Sequence, residues 1–260
     1  MGNDRAFRLK HWAIVTGAGS GIGQSLTWSL SKLGIHVLGV GRRMEPLEKT
    51  RAADPEHIHV IAADVGSAEG RRAVVEAFPE DRTLAMLVHN AAVLEPVALL
   101  KDVRLEDWQY HMAVNLDGPM FLSQALLPRM TRGSRILHVS SGAGHNAYHG
   151  WGAYCTSKAA LNMVWRCLDK EIRDQGIRVG SVRPGVVDTP MQDVVRTADR
   201  DVFPTLQRFL DLKEHNQLQQ PEFVAKFLSW LLLDVDDDAY AEKEWDVRDA
   251  EHHDYWERQP

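Results

Sequence analysis

Cysteine is nearly absent from the chain: Cys155 and Cys167 are the only two in 260 residues. They stand twelve apart in what reads as a single helix, where a disulfide between them would be an awkward reach. Free thiols in a reducing compartment are therefore expected. No uncharged apolar run reaches the ~20 residues of a membrane span, and Met1 to Arg8 has no apolar signal-like core. The expectation is a cytoplasmic chain with no membrane association. A basic excess is also missing: Lys and Arg number 30 against 36 Asp and Glu, a formal net charge of −6 that gives no sign of a nucleic-acid backbone partner. His138, His145 and His149 lack the spacing to a second histidine and a carboxylate that a metal site needs, so packing or surface roles are expected and no metal. His252-His253, in an acidic tail, would bind metal only adventitiously. Nor does any repeat, linker or low-complexity block divide the sequence. One domain over residues 1–260 is expected, with 248–260 as a tail.

What is present has the balance of a globular chain, with 44% hydrophobic and 25% charged residues. Short apolar runs alternate with helical patterns. Lys10 to Thr16, Ile35 to Val40, Ile58 to Ala63, Leu84 to Val88, Arg135 to Val139 and Ile177 to Val182 read as strands. Helical spacing falls between them, at Gln24 to Leu33, Ser67 to Phe78 and Leu105 to Met130, the last interrupted near Gly118-Pro119. This alternation predicts an α/β fold, a mainly parallel, doubly wound sheet covered on both faces in three layers. Residues 192–220 are polar and irregular in pattern and are read as a flap over a pocket, followed by a helix from Pro221 to Leu233.

The first strand runs into Gly17-Ala18-Gly19-Ser20-Gly21-Ile22-Gly23 and then a helix. A glycine-rich turn alone is weak evidence. In the order strand, turn, helix it lets backbone N–H groups approach a pyrophosphate at the positive end of a helix. At the end of the second strand, Gly41-Arg42-Arg43 offers arginines where an NAD-selecting fold carries a carboxylate. Arg42 and Arg43 either cap a strand end in solvent or accommodate a 2′-phosphate, which would make the cofactor NADP(H).

Tyr154 and Lys158 are four apart at the start of a helical stretch, so both side chains leave one face. A phenol has an ordinary pKa of about 10, and a neighbouring ammonium is expected to lower it, giving a tunable acid. Ser141, thirteen positions earlier at the end of a buried strand, could meet the phenol across a loop. Asn115 sits just before the Gly118-Pro119 break, where a buried amide could satisfy freed carbonyls. Trp108, Trp165 and Trp230 fall at helical core or interface positions.

In order along roughly residues 10–195, Thr16 to Gly23, Asp64-Val65, Asn90-Ala91, Asn115, Ser141, Tyr154 with Lys158, and Pro184-Gly185 through Thr189 resemble the motifs of the short-chain dehydrogenase/reductase family. The resemblance implies a Rossmann-like sheet of about seven strands with Asn115, Ser141, Tyr154 and Lys158 as the catalytic set. It also implies a dinucleotide site formed by Gly17, Ser20, Gly21, Ile22, Gly23, Arg42, Arg43, Asp64, Val65, Asn90, Ala91, Pro184, Gly185, Val187 and Thr189, together with Tyr154 and Lys158. In it Asp64 meets the adenine and Thr189 the nicotinamide carboxamide, while Asn115 links Lys158 to solvent through a water. A homodimer or homotetramer paired through the long helices is implied as well. His89 and Ala92 depart from the family's usual asparagine and glycine.

Within the family, Gly150-Trp151 ahead of Tyr154-Cys155, Pro184 through Gln192 and Leu212 through Leu218 are similar to sepiapterin and benzil reductases. That likeness implies NADPH-dependent reduction of a bulky aromatic ketone or diketone, with Trp151 and Met191 at the substrate and Asp246 as an anchor. Two rivals share these residues. A 3-oxoacyl-thioester reductase, or another alcohol dehydrogenase of the family, would want a basic entrance, of which 192–246 offers little. A non-catalytic NADP sensor would have no use for the Ser/Tyr/Lys set.

Overall fold

In a computed structural model, which describes residues 5–257, the strands are β1 (Trp12–Thr16), β2 (Val37–Gly41), β3 (Ile58–Ala62), β4 (Leu84–His89), β5 (Arg135–Val139), β6 (Arg178–Arg183) and β7 (Glu244–Asp246). They form one sheet in the order β3-β2-β1-β4-β5-β6-β7, and every neighbouring pair is parallel. Parallel strands need crossovers. The helices are α1 (Arg5–Lys10), α2 (Gly21–Ser31), α3 (Met44–Arg51), α4 (Ala68–Ala77), α5 (Leu105–Met112), α6 (Gly118–Leu126), α7 (Gly152–Ile172), α8 (Pro190–Arg196), α9 (Leu206–Glu214), α10 (Pro221–Leu233), α11 (Asp237–Glu242) and α12 (His253–Trp256). Among the described residues no helix is long and apolar enough to cross a membrane.

Period-2 geometry explains why the strands read as unbroken apolar runs. Ala13, Val15, Leu137 and Val139 feed a core under α2 and α10, whereas Ile14, Leu87 and Ile136 feed one under α4, α6 and α7. Strand order reverses between β1 and β4, and the crevice at that switch point opens at the carboxyl ends of the strands.

Three elements depart from the sequence reading. Residues 192–220 are only partly irregular: α8 ends and α9 lies within them, joined by turns over 197–205, with Val195, Phe203, Leu206 and Phe209 buried together. Their widely spaced apolar positions are too few per turn to stand out. The seventh strand lies in an acidic stretch without an apolar run, where Trp245 alone fills the sheet face between Glu244 and Asp246. The tail up to Glu257 is docked rather than loose: Trp256 donates to His252 Nδ1 (2.9 Å), and His252 Nε2–H donates to the Asp246 carbonyl (2.9 Å). Both ring nitrogens of His252 are thereby engaged in packing and not offered to a metal.

His89 and His138 are register partners on β4 and β5, fully buried with ring centroids 5.3 Å apart. His89 Nε2 meets Ser123 Oγ at 2.8 Å, so this departure from the family pattern points into α6 and away from the crevice. Only the Leu161 backbone is placed to offset the burial of the His138 ring nitrogens, and it does so weakly. Burial, with help from the Lys158 charge, pushes His138 down to about 3 from the ordinary 6.5. The unfolded chain thus binds a proton below pH 6.5 that the folded chain refuses, and the stability held above that pH is lost as pH falls toward 3. At pH 5 the penalty is about 2 kcal/mol. His138→Leu is expected to raise the melting temperature more at pH 5 than at pH 7.5 in circular dichroism melts. An equal shift at both would refute the assignment.

Candidate active site

A cleft of about 360 Å³ runs along the carboxyl ends of the strands, from Arg42 and Arg43 at one end to Tyr154 and Lys158 at the other. Its floor is the glycine turn. Gly17 (φ 71°) and Gly21 (φ 54°) hold left-handed backbone that only glycine adopts freely, and a Cβ on Gly17 would stand 2.6 Å from Asn90 Nδ2. Ser20, Gly21 and Ile22 open α2 with no side chain capping its N–H groups, leaving them free toward an anion. Gly23 does not line the cleft. A Cβ there would fall 2.4 Å from the Gly17 carbonyl, so its part is to let α2 pack on the turn.

Asn90 and Ala91 line the wall after β4; their N–H groups both donate to Thr16 Oγ1 at 3.0 Å, and Asn90 Nδ2 donates to the Thr16 carbonyl at 2.9 Å. At the far end, Arg42 donates to the Tyr110 hydroxyl (2.7 Å), which donates to Asp64 Oδ2 (3.3 Å). Asp64 also accepts from the Gly66 N–H at 2.9 Å, and Val65 lies beside it in the wall. Tyr110, on α5, went unnoticed in the sequence because nothing local marks it.

Tyr154 and Lys158 project from the first turns of α7 and are 7% and 3% exposed. The spacing argument holds, but its electrostatic corollary does not. Lys158 Nζ donates to the Val139 carbonyl at 2.8 Å and lies 5.7 Å from the Tyr154 ring centre. Burial pushes the phenol up to about 12, opposed by the Ser141 hydroxyl, and pulls Lys158 down to about 8, opposed by Glu244. Dehydration of both groups outweighs their attraction, so at neutral pH each keeps its proton. Ser141 faces Tyr154, its hydroxyl hydrogen-bonded with the phenol and accepting from the Ala143 N–H at 3.1 Å.

Asn115 lies in a π turn, Ala113–Asp117, between α5 and α6, and is 1% exposed. It does not serve carbonyls near Pro119. Its Oδ1 accepts from the Val93 N–H (2.9 Å) and its Nδ2 donates to the Val93 carbonyl (2.8 Å), bracing the loop that forms the cleft wall.

On the remaining wall Pro184, Thr189 and Met191 line the cleft. Gly185 (φ 75°) and Val187 sit behind it, where Val187 bridges to Gln219 and the Asp188 N–H donates to the Gln219 carbonyl at 2.9 Å. Trp151 is buried, edge-on to Tyr154 at 5.7 Å and stacked on Phe203 at 4.7 Å, so it reaches the site through Tyr154. Asp246 is 2% exposed and lies off the cleft. Arg248 grips it at 2.5 and 2.8 Å and Arg183 at 3.3 Å. Burial pushes its carboxyl up, yet Arg248 and then Arg183 more than offset this and hold it below the ordinary range. A carboxylate so engaged is bracing β7, and the substrate-anchoring role expected of it has no support in the geometry.

The model of the short chain dehydrogenase family matches residues 11–200. A benzil reductase ((S)-benzoin forming) of Bacillus cereus is 32% identical over 233 residues, covering 85% of this chain and 93% of that one. Among solved structures, a short-chain dehydrogenase/reductase of Saccharomyces cerevisiae superposes with a TM-score of 0.87 at 29% identity, over 95% of this chain and 99% of that one. The enzyme KRED1-Pglu does so with 0.83 at 33%, over 90% and 99%. The sheet order agrees with those matches, and the chain belongs to the short-chain dehydrogenase family of oxidoreductases, which act on carbonyl and hydroxyl groups.

Proposed function

We propose that the chain is an NADPH-dependent carbonyl reductase that delivers hydride to a bulky, aromatic ketone or diketone, with Tyr154 as the proton donor. The observation that carries this reading is the cleft itself, with a protonated phenol and an ammonium at one end and two arginines at the other. The residues fit a dinucleotide. Uncapped N–H groups of Ser20, Gly21 and Ile22 would hold the pyrophosphate, Asp64 and Val65 the adenine, and Arg42 and Arg43 the 2′-phosphate. Asn90, Ala91, Pro184 and Thr189 would hold the nicotinamide side.

The bound cofactor supplies the hydride. Tyr154 gives its proton to the carbonyl oxygen as charge grows there, and Ser141 orients that oxygen. The Lys158 ammonium stabilises the phenolate left behind, and Asn115 serves the path that returns a proton. Benzil reductase relatives support an aromatic substrate, and Leu94, Met191 and Val194 give the cleft an apolar lining at the Tyr154 end. Helices α8 and α9 are the flap over that end, latched by Lys213 to Asp188 at 2.6 Å.

Cofactor-oxidation assays across diketones, pterins, quinones and acyl-thioester ketones test the reading. Turnover of a diaryl diketone is expected; absence of turnover on every carbonyl would sink it. Arg42→Ala should weaken NADPH by roughly tenfold to a hundredfold, the worth of a charge-assisted contact, and leave NADH nearly unchanged. Equal losses for the two cofactors would remove the 2′-phosphate from the proposal.

A further inference from the structure

His111 is the most closely held titratable group that the proposed reaction does not use. It lies on α5 one turn before Asn115 and is fully buried. Its Nδ1 is 2.7 Å from the Glu95 carbonyl, which can only accept, so Nδ1 carries the hydrogen. Nε2 then offers a lone pair, 2.9 Å from Asn115 Nδ2 and 3.0 Å from Ser157 Oγ. Ser157 in turn donates to the Tyr154 carbonyl at 2.9 Å, inside the turn of α7 that carries Tyr154 and Lys158.

The amide of Asn115 has one orientation in which every contact is satisfied. Oδ1 faces the Val93 N–H, one Nδ2 hydrogen faces the Val93 carbonyl, and the other faces His111 Nε2. A proton on Nε2 would be donated to Ser157 Oγ at 3.0 Å, whose own hydrogen goes to the Tyr154 carbonyl. It would leave the Asn115 N–H facing an N–H at 2.9 Å with only Ser157 Oγ, at 3.3 Å, to turn to. The amide then either swings toward Ser157 or turns over, and both movements disturb its two bonds to Val93. Val93, Leu94 and Glu95 line the cleft, so each outcome moves its wall.

We infer that His111 is a positioning residue: in its neutral, Nδ1-protonated form it locks Asn115 and the Val93–Glu95 wall, and its protonation unlocks them. The groups facing the ring are few. Tyr154 meets it edge-on at 6.2 Å, the Glu95 backbone accepts from it, and the Lys158 charge acts on it from α7. Burial and then that charge lower its pKa below the ordinary 6.5, against the pull of the Glu95 carbonyl. Turnover should therefore fall on the acid side below pH 6.5. The inference rests on the proposed reductase chemistry only for its turnover readout.

The test compares wild type, His111→Leu and His111→Gln. Gln can accept from Asn115 through Oε1 and donate to Glu95 through Nε2, but it cannot take up a proton. One readout is hydrogen–deuterium exchange of the 90–98 segment, corrected for intrinsic rates, at about pH 5.5 and 7.5. The other is kcat against pH with a diaryl diketone. Wild type should lose protection as pH falls below 6.5 and H111Q should not. His111→Leu should lose kcat by about tenfold to a hundredfold with cofactor KM within about twofold. H111Q should recover most of kcat and lose the acid limb while keeping the alkaline limb near 8 set by Lys158. Equal protection of wild type at both pH values, or an acid limb that persists in H111Q, overturns the inference. H111Q decides alone where H111L fails to fold. If the exchange pattern holds and no carbonyl is reduced, the reductase reading has failed and the lock has not.

Discussion

Tyr154→Phe should bind cofactor as the wild type does and lose turnover by roughly 10²- to 10⁴-fold, the usual worth of a positioned proton donor. The phenyl ring keeps the edge-on contacts to Trp151 at 5.7 Å and His111 at 6.2 Å, so the fold around it is held. Only the hydroxyl is removed, and with it the proton that burial keeps in place by pushing the phenol up to about 12. Cofactor titration by fluorescence, followed by steady-state and single-turnover rates, separates the two effects. A variant that reduces ketone within a few-fold of wild type would end the proposed mechanism.

Lys158→Met should make the protein more stable and nearly inactive. The drop from 10.5 to about 8 is a penalty of about 3 kcal/mol for holding a dehydrated ammonium in the fold. Methionine fills a similar volume without the charge, but orphans the Val139 carbonyl at a cost of about 1 kcal/mol. A net gain of about 2 kcal/mol follows. Because the folded pKa lies below the unfolded one, the wild-type penalty is complete below pH 8 and disappears as pH rises to 10.5. Denaturant midpoints should therefore favour the variant at pH 7, with the gap closing as pH rises above 8 and reversing, to about 1 kcal/mol in favour of the wild type, above pH 10.5. A variant less stable at pH 7, or a gap that widens with pH, would contradict the account. Loss of turnover beside that gain would mark a site that spends stability on function.

Much of this fold was legible because parallel strands buried on both faces write themselves as apolar runs, as in Leu84 to Val88 and Arg135 to Val139. The glycine turn was legible because left-handed backbone at Gly17 and Gly21 restricts the residue type. β7 was not, since three residues with one apolar side chain have no period. The candidate site split along similar lines. Tyr154 and Lys158 follow from helix geometry, but whether the ammonium or burial governs the phenol depends on solvent exposure, which spacing does not encode. Tyr110 and His111 were missed because they meet Asp64, Arg42, Glu95 and Ser157 only across the fold. His111 and Asn115, four apart in a helical stretch, were the one signal that could have been taken up.

The π turn at Ala113–Asp117 is a helix carrying one residue more than α geometry needs. Deleting a single residue there would let α5 and α6 join as a continuous, more regular helix. It would also turn the two halves by about 100° relative to each other. Asn115 could then no longer face Val93 while Leu122 and Leu126 kept their places in the core. The surplus residue works as a phase shifter, allowing one helix to answer to two partners whose directions no uninterrupted helix could serve at once.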